Sequence, residues 1–141
     1  MKPIRALLLA LSGLAFAAGA TAEVVVVVNP RNTLTAMEAE QVAQIYTGAS
    51  RMFPNGSPAS PVDQPEGSAV REEFLAKVVG RSSAQIKAVW SRLIFSGKGS
   101  PPKALASSAE VKKLVATEPN AIGFMERSAV DDTVKVVLSV K

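Results

Sequence analysis

The first clear pattern along the folded part of the chain is an unbroken apolar run, Val24 to Val28. Five valines in succession cannot alternate apolar and polar faces, so the strand they predict is covered on both sides. Asn29-Pro30 ends it. From Ala39 the period changes to that of a helix, with Ala39, Val42, Ile45 and Tyr46 on one stripe. Thr35 and Glu38 read as the capping box of this helix, and Thr47-Gly48 stops it. Residues 48–60 contain Gly48, Pro54, Gly56 and Pro58 and read as a surface loop, with Met52 and Phe53 tucked against the body. Pro61-Val62-Asp63 predicts a short strand, and Gln64-Pro65-Glu66-Gly67-Ser68 turns the chain into a second helix carrying Val70, Phe74, Leu75 and Val78.

Ser82 and Gln85 form a capping box for a third helix. Its Ile86, Val89, Trp90, Leu93 and Ile94 follow the i, i+3, i+4, i+7, i+8 template. Ser96 to Pro102 reads as a loop, with Trp90 and Phe95 beside it as core residues. Ser107 and Glu110 cap a fourth helix with Val111, Leu114 and Val115. Pro119-Asn120 leads into a strand from Ala121 to Met125. A last strand, Val134 to Val140, alternates so that Val134, Val136, Leu138 and Val140 share one face. Strands separated by helices predict an α/β domain: a mixed, mostly parallel sheet of about four or five strands with helices on both faces. Such sheets hold ligands at strand carboxyl ends, beside helix N-termini.

The N-terminal stretch changes where this domain is expected to work. Lys2 and Arg5 give a positive start, Leu7 to Ala18 is apolar but short for a membrane span, and Ala20-Thr21-Ala22 has the small-residue form of a cleavage site. Residues 1–22 are therefore expected to be a signal peptide, with a single domain at 23–141 exported to the periplasm. Cleavage lowers the basic residues from 16 to 14 against 12 acidic ones, taking the formal charge from +4 to +2. No basic run with interleaved aromatics is present, and nucleic acid is not an expected partner.

Two absences narrow the chemistry. Without Cys there is no disulfide, thiolate nucleophile or zinc-thiolate site. Without His the usual base near neutral pH and the commonest metal ligand are gone, so Ser-His-Asp and Cys-His arrangements are excluded. Asp63, Glu66, Glu72 and Glu73 supply carboxylates with no nucleophile or metal cluster to serve. A binding domain without cofactor or metal is expected rather than an enzyme.

One segment carries a candidate binding geometry. Asp63 to Arg71 runs strand, glycine turn, helix start. Ser68 is placed as N-cap, Gly67 supplies the turn, and the amides of Ala69, Val70 and Arg71 point out of the helix end as an anion site. A second candidate is the loop of Ser96, Gly97 and Lys98, which offers amides and an ammonium; its plainer reading is a helix C-cap at Gly97.

Four stretches in order give nearly all of residues 23–141 a family resemblance: Val28-Asn29-Pro30, Ile45 to Gly48, Pro65 to Leu75, and Pro119 to Phe124. Together they resemble the periplasmic phosphate-binding proteins of ABC importers, within the type II periplasmic binding protein superfamily. The likeness is greatest to its short single-domain members. The resemblance implies a single-lobe domain, phosphate or a related oxyanion as ligand, and a membrane transporter or sensor as partner. The family's phosphate loop has an Arg, three residues, then Ser-Gly-Thr. Here Ser68 keeps the serine, Gln64 stands at the arginine position, and Ala69 and Val70 replace the Gly-Thr pair. Arg71 either turns toward the ligand or is a solvated residue of the first turn.

Three hydrogen bonds to an anion give roughly 4.5–9 kcal/mol, against an association cost of about 4–15 kcal/mol. One lobe with these donors is expected to bind phosphate at millimolar level or weaker, and tighter binding calls for a second surface such as a homodimer mate. The alternative reading is an envelope protein-interaction module that keeps the fold without the ligand.

Overall fold

The computed structural model describes residues 23–141. The export segment read at residues 1–22 lies outside them. Strand β1 is the valine run itself, Val24–Val28, and all five side chains are fully buried. Alternation sorts them into two cores. Val24, Val26 and Val28 enter one cluster with Tyr46, Phe74 and Phe124, while Val25 and Val27 enter the other with Val62, Val111, Val115 and Met125. Two apolar faces demand two covering layers, as the unbroken run predicts.

The remaining elements are α1 (Ala39–Tyr46), β2 (Ser60–Asp63), α2 (Ala69–Phe74) continued by a π-helical turn (Leu75–Val79), and α3 (Ser83–Phe95). They are followed by β3 (Lys103–Ala104), α4 (Ser108–Thr117), β4 (Ala121–Glu126), a 3-10 turn (Arg127–Ala129) and β5 (Lys135–Val140). The sheet order is β3-β2-β4-β1-β5. β2 is parallel to β3 and β4, whereas β1 is antiparallel to both β4 and β5, so β1 alone opposes the common direction. This is a mixed, mostly parallel five-stranded sheet. Strand β3, only two residues long, follows directly on the Ser96 to Pro102 loop, where the sequence predicts no strand.

Close packing at β4 depends on a missing side chain. A Cβ on Gly123 would lie 2.5 Å from Cγ1 of Val111 and 3.1 Å from Cγ2 of Val62, so glycine lets α4 sit down on the sheet. The far end of α4 is tied by buried Asn29, whose Nδ2 donates to the carbonyls of Val115 (2.9 Å) and Ala116 (3.1 Å). These are C-terminal carbonyls that the helix itself leaves without donors. On the other face, the Tyr46 hydroxyl donates toward the carbonyls of Val62 (2.8 Å) and Ile122 (3.1 Å), joining α1 to β2 and β4. Trp90 Nε1 donates to the Tyr46 carbonyl at 3.0 Å and anchors α3 to the same point.

Several local expectations are corrected. The capping box of α1 is Glu38 with Gln41, not Thr35 with Glu38. The chain before it is pinned elsewhere, the Met37 amide donating to the Val137 carbonyl at 2.9 Å. Strand β5 does not keep one apolar face. Its register against β1 jumps from Val26↔Leu138 to Val27↔Val136, a bulge at Val137 that reverses the alternation. Val134 and Val136 therefore join one core and Leu138 and Val140 the other. In the 48–60 loop Phe53 is buried, but Met52 is exposed. Phe95 is not a core residue: it is 96% exposed, and Ile94 is 52% exposed, because the last turn of α3 runs past the body it packs on.

Candidate functional site

Strand β2 delivers the chain to its carboxyl end at Asp63, whose Oδ1 accepts from the Gln64 amide at 2.8 Å. Pro65-Glu66-Gly67 then reverses direction, closed by the Ser68 amide donating to the Pro65 carbonyl at 3.1 Å. Gly67 has φ +86° with nothing near its missing Cβ, so the backbone conformation alone selects glycine. Ser68, at φ −66° and ψ 141°, is the N-cap of α2. Its Oγ accepts from the Arg71 amide at 3.4 Å and its carbonyl from the Glu72 amide at 3.0 Å. The amides of Ala69 and Val70 find no acceptor among the described residues. They are the orphan donors of the helix start.

The side chains around this start are engaged with one another. Gln64 is 3% exposed, and its Nε2 donates to the Phe124 carbonyl (2.9 Å) and to Ser108 Oγ (3.0 Å). Ser108 in turn donates to Glu126 at 2.6 Å. Both carboxamide hydrogens of Gln64 thus tie β2 to β4 and to the first residue of α4, and neither faces a ligand. Arg71 is not a solvated first-turn residue. It is 7% exposed, with Nε 3.0 Å from Asp63 Oδ1 and Nη1 donating to Ser83 Oγ at 2.7 Å. Ser83 Oγ also donates to Glu66 at 3.4 Å. This chain of contacts fastens the starts of α2 and α3 to the end of β2. A groove of about 310 Å³ opens beside it, polar at Asp63, Glu66 and Arg71 and apolar toward Trp90, Ile94 and Pro102.

Burial is the main force on the one phenol beneath the site. It pushes the Tyr46 hydroxyl well above its usual 10.0, and the nearby Asp63 carboxylate adds to the rise.

The turn that follows α3, Ser96 to Lys98, lies at the far end of a helix 13 residues long, or roughly 20 Å of rise, although Pro101 and Pro102 return to line the groove. Its amides are used to close the helix. Ser96 donates to the Arg92 carbonyl (3.0 Å), Gly97 at φ +70° to Ile94 (3.1 Å) and Lys98 to Leu93 (2.9 Å). Ser96 and Gly97 therefore form a C-cap and not an anion cradle. Only the Lys98 side chain remains, lining a cavity of about 350 Å³ with Arg51, Ser50, Ser100 and Trp90. Nothing in the sequence pairs Arg51 with Lys98, since the loop holding Arg51 has no periodicity to orient it. Among the described residues no group of three or more acidic side chains is placed to hold a metal ion.

No family model and no curated protein matches the chain. Solved structures do. An ABC-type phosphate transport receptor from Vibrio cholerae superposes with a TM-score of 0.64 at 22% identity, over 83% of this chain and 46% of that one. A putative phosphate ABC transporter substrate-binding protein with bound phosphate, from Clostridium perfringens, gives 0.63 at 24% identity over 83% and 45%. PstS from Borrelia burgdorferi gives 0.61 at 11% identity over 82% and 47%. The chain shares the fold of these phosphate receptors. It spans a little under half the length of each, and at such identities the likeness is one of architecture.

Proposed function

We propose that this protein is a periplasmic solute-binding-like domain of the phosphate-receptor type. It takes phosphate or a similar oxyanion weakly at the start of α2 and serves a membrane transporter or sensor. The observation that carries this reading is the pair of amides at Ala69 and Val70. They stand at the carboxyl end of β2 without a protein acceptor, beside a capping serine, in a fold shared with a receptor that holds phosphate. Gly67 and Ser68 shape the turn, while Gln64 and Arg71 hold it in place from within.

Charge-assisted bonds to two amides give roughly 3–6 kcal/mol, against an association cost of about 4–15 kcal/mol. A dissociation constant of about 1 mM corresponds to about 4 kcal/mol, so binding by a lone copy is millimolar or weaker. A second copy or a membrane partner facing the same amides is the route to higher affinity.

The test uses proline. Ala69 is the first residue of α2, where proline's missing N–H is tolerated, and Ser68 already has the extended backbone that a following proline requires. Ala69→Pro thus deletes one proposed donor while keeping the helix. In an NMR titration the Ala69 and Val70 amides of the unaltered protein are expected to shift saturably with phosphate, beyond what chloride of equal ionic strength produces. In Ala69→Pro the Val70 shift should weaken severalfold. The absence of any saturable shift at about 50 mM phosphate, well above the expected millimolar range, removes the site; so does an unchanged response in the proline variant. The second reading, a ligand-free interaction module of the cell envelope, draws on the exposed Ile94 and Phe95.

A further inference from the structure

Between Glu73 and Glu110 the chain holds six cationic residues, Lys77, Arg81, Lys87, Arg92, Lys98 and Lys103, and no acidic one. The rest of residues 23–141 carries eight cations and twelve acidic residues. A nearly neutral total therefore conceals a polar molecule, positive along α3 and its following loop. Among the described residues, Lys77 pairs with Glu73 at 2.6 Å, but the other five cations have no carboxylate within 4.0 Å. All five are exposed.

The same region holds two of the three large apolar side chains that the described residues leave exposed, the third being Met52. Phe95 is 96% exposed and Ile94 52%. Phe95 ends α3, one helical turn beyond Arg92, and the chain then closes through the Gly97 turn to Lys98. The exposed positions of α3 before this tip are Ala84, Gln85, Lys87, Ala88, Ser91 and Arg92, none of them apolar and large. The apolar tip is thus exposed and flanked in the chain by the cations Arg92 and Lys98, with Asp63 and Glu66 on the groove that Ile94 also lines. Such a shape inserts between anionic headgroups, with the ring reaching the acyl boundary and the cations remaining at headgroup level.

We propose that the C-terminal end of α3 docks on an anionic phospholipid surface, with Phe95 and Ile94 as the inserted tip and Arg92 and Lys98 as the charged collar. A single apolar tip with a basic collar gives reversible attachment, not anchoring. The proposal stands on the exposed end of α3 and does not use the α2 amides, although Ile94 also lines the groove beside them.

Flotation of the full chain with vesicles tests it, using phosphatidylcholine alone or with about 30% phosphatidylglycerol, at about 50 mM and about 500 mM NaCl. Binding is expected only to the phosphatidylglycerol vesicles, falling about tenfold at high salt as screening takes effect. Phe95→Ser with Ile94→Ser, and separately Arg92→Gln with Lys98→Gln, should each weaken it about tenfold. All four side chains are exposed or half-exposed, so Trp90 fluorescence and the thermal midpoint should stay unchanged and show that both variants fold. Every protein compared has the same residues 1–22, so lipid binding by that segment would leave variants and parent equal. Equal binding, no binding at low salt, or binding to neutral vesicles overturns the proposal. Affinity of this face for an acidic protein without affinity for the vesicles overturns it too, and assigns the collar to that partner.

Discussion

Replacing Tyr46 with phenylalanine removes one oxygen atom from the point where α1, β2 and β4 meet. The ring itself keeps its edge-on contacts with Phe74 (centroids 4.8 Å apart) and Phe124 (6.0 Å), so apolar packing is preserved. What is lost is the donor shared by the carbonyls of Val62 and Ile122. A hydrogen bond contributes about 0.5–1.5 kcal/mol net, and a buried acceptor left without a donor costs about 1–3 kcal/mol. One proton serves both carbonyls, so the expected loss is about 1–3 kcal/mol in all. With an unfolding entropy of about 2.1 cal/mol/K per residue, the 119 described residues convert each kcal/mol into about 4 °C. Tyr46→Phe should therefore melt about 4–12 °C lower at neutral pH, followed by circular dichroism.

The pH series supplies the sharper half of this prediction. Burial, and then Asp63, raise the folded phenol's pKa well above the ordinary 10.0. The unfolded chain ionises first, so stability held in full below pH 10.0 is lost as pH climbs toward the folded value. The slope is about 1.4 kcal/mol per pH unit, and phenylalanine has none of it. Lysines and the remaining groups are common to both proteins and cancel in the difference. The gap between parent and variant should accordingly narrow above pH 10.0. A midpoint change under about 2 °C at neutral pH, or a gap constant to about pH 11, refutes the account of this hydroxyl.

Gly123→Ala should destabilise by about 1–3 kcal/mol, since its Cβ would meet Val111 Cγ1 at 2.5 Å; pairing it with Val111→Ala should recover part of the loss in the same melts. Asp63→Asn should act in opposite directions on two measurements. It removes the carboxylate from a pair whose side chains are only 9% and 15% exposed, lowering stability by about 3 kcal/mol or more in urea unfolding. It also frees Arg71 and deletes negative charge beside Ala69 and Val70, so phosphate should bind severalfold more tightly. Asp131, held by the Thr133 hydroxyl and amide and by Lys112, should titrate at about 2 by NMR, below the ordinary 3.8. Its contribution is present above pH 3.8 and lost as pH falls through about 2, and Thr133→Val should move the titration upward.

The elements were legible wherever one period held for several turns or several residues. Val24–Val28 announced a doubly covered strand, and the Ser82–Gln85 and Ser107–Glu110 caps marked where α3 and α4 begin. The errors share a cause: tertiary contacts overrode local pattern. Thr35 and Glu38 have capping-box spacing, but Met37 is drawn onto the Val137 carbonyl, so Glu38 becomes the N-cap and the helix starts at Ala39. The Val134–Val140 alternation is regular in sequence and broken in space by the bulge that admits Val137. Ile94 continues a correct stripe beyond the last surface available to bury it. At the candidate site the turn, the cap and the free amides followed from Gly67 and Ser68. The fates of Gln64 and Arg71 did not, because Phe124, Ser108 and Ser83, which capture them, lie 60, 44 and 12 residues away in the chain.

The position of β1 has a consequence for how the protein is made. Strand β1 sits between β4 and β5, so one of its edges stays unpaired until β4 (Ala121–Glu126) has been synthesised and the other until β5 (Lys135–Val140) has. Such long sequence separations delay folding. A nascent chain held open in this way suits the export proposed above. The delay also leaves five adjacent valines bare, a segment of high β-propensity and no charge. Truncation before Ala121 would make that state permanent, and such products should aggregate rather than remain as soluble fragments.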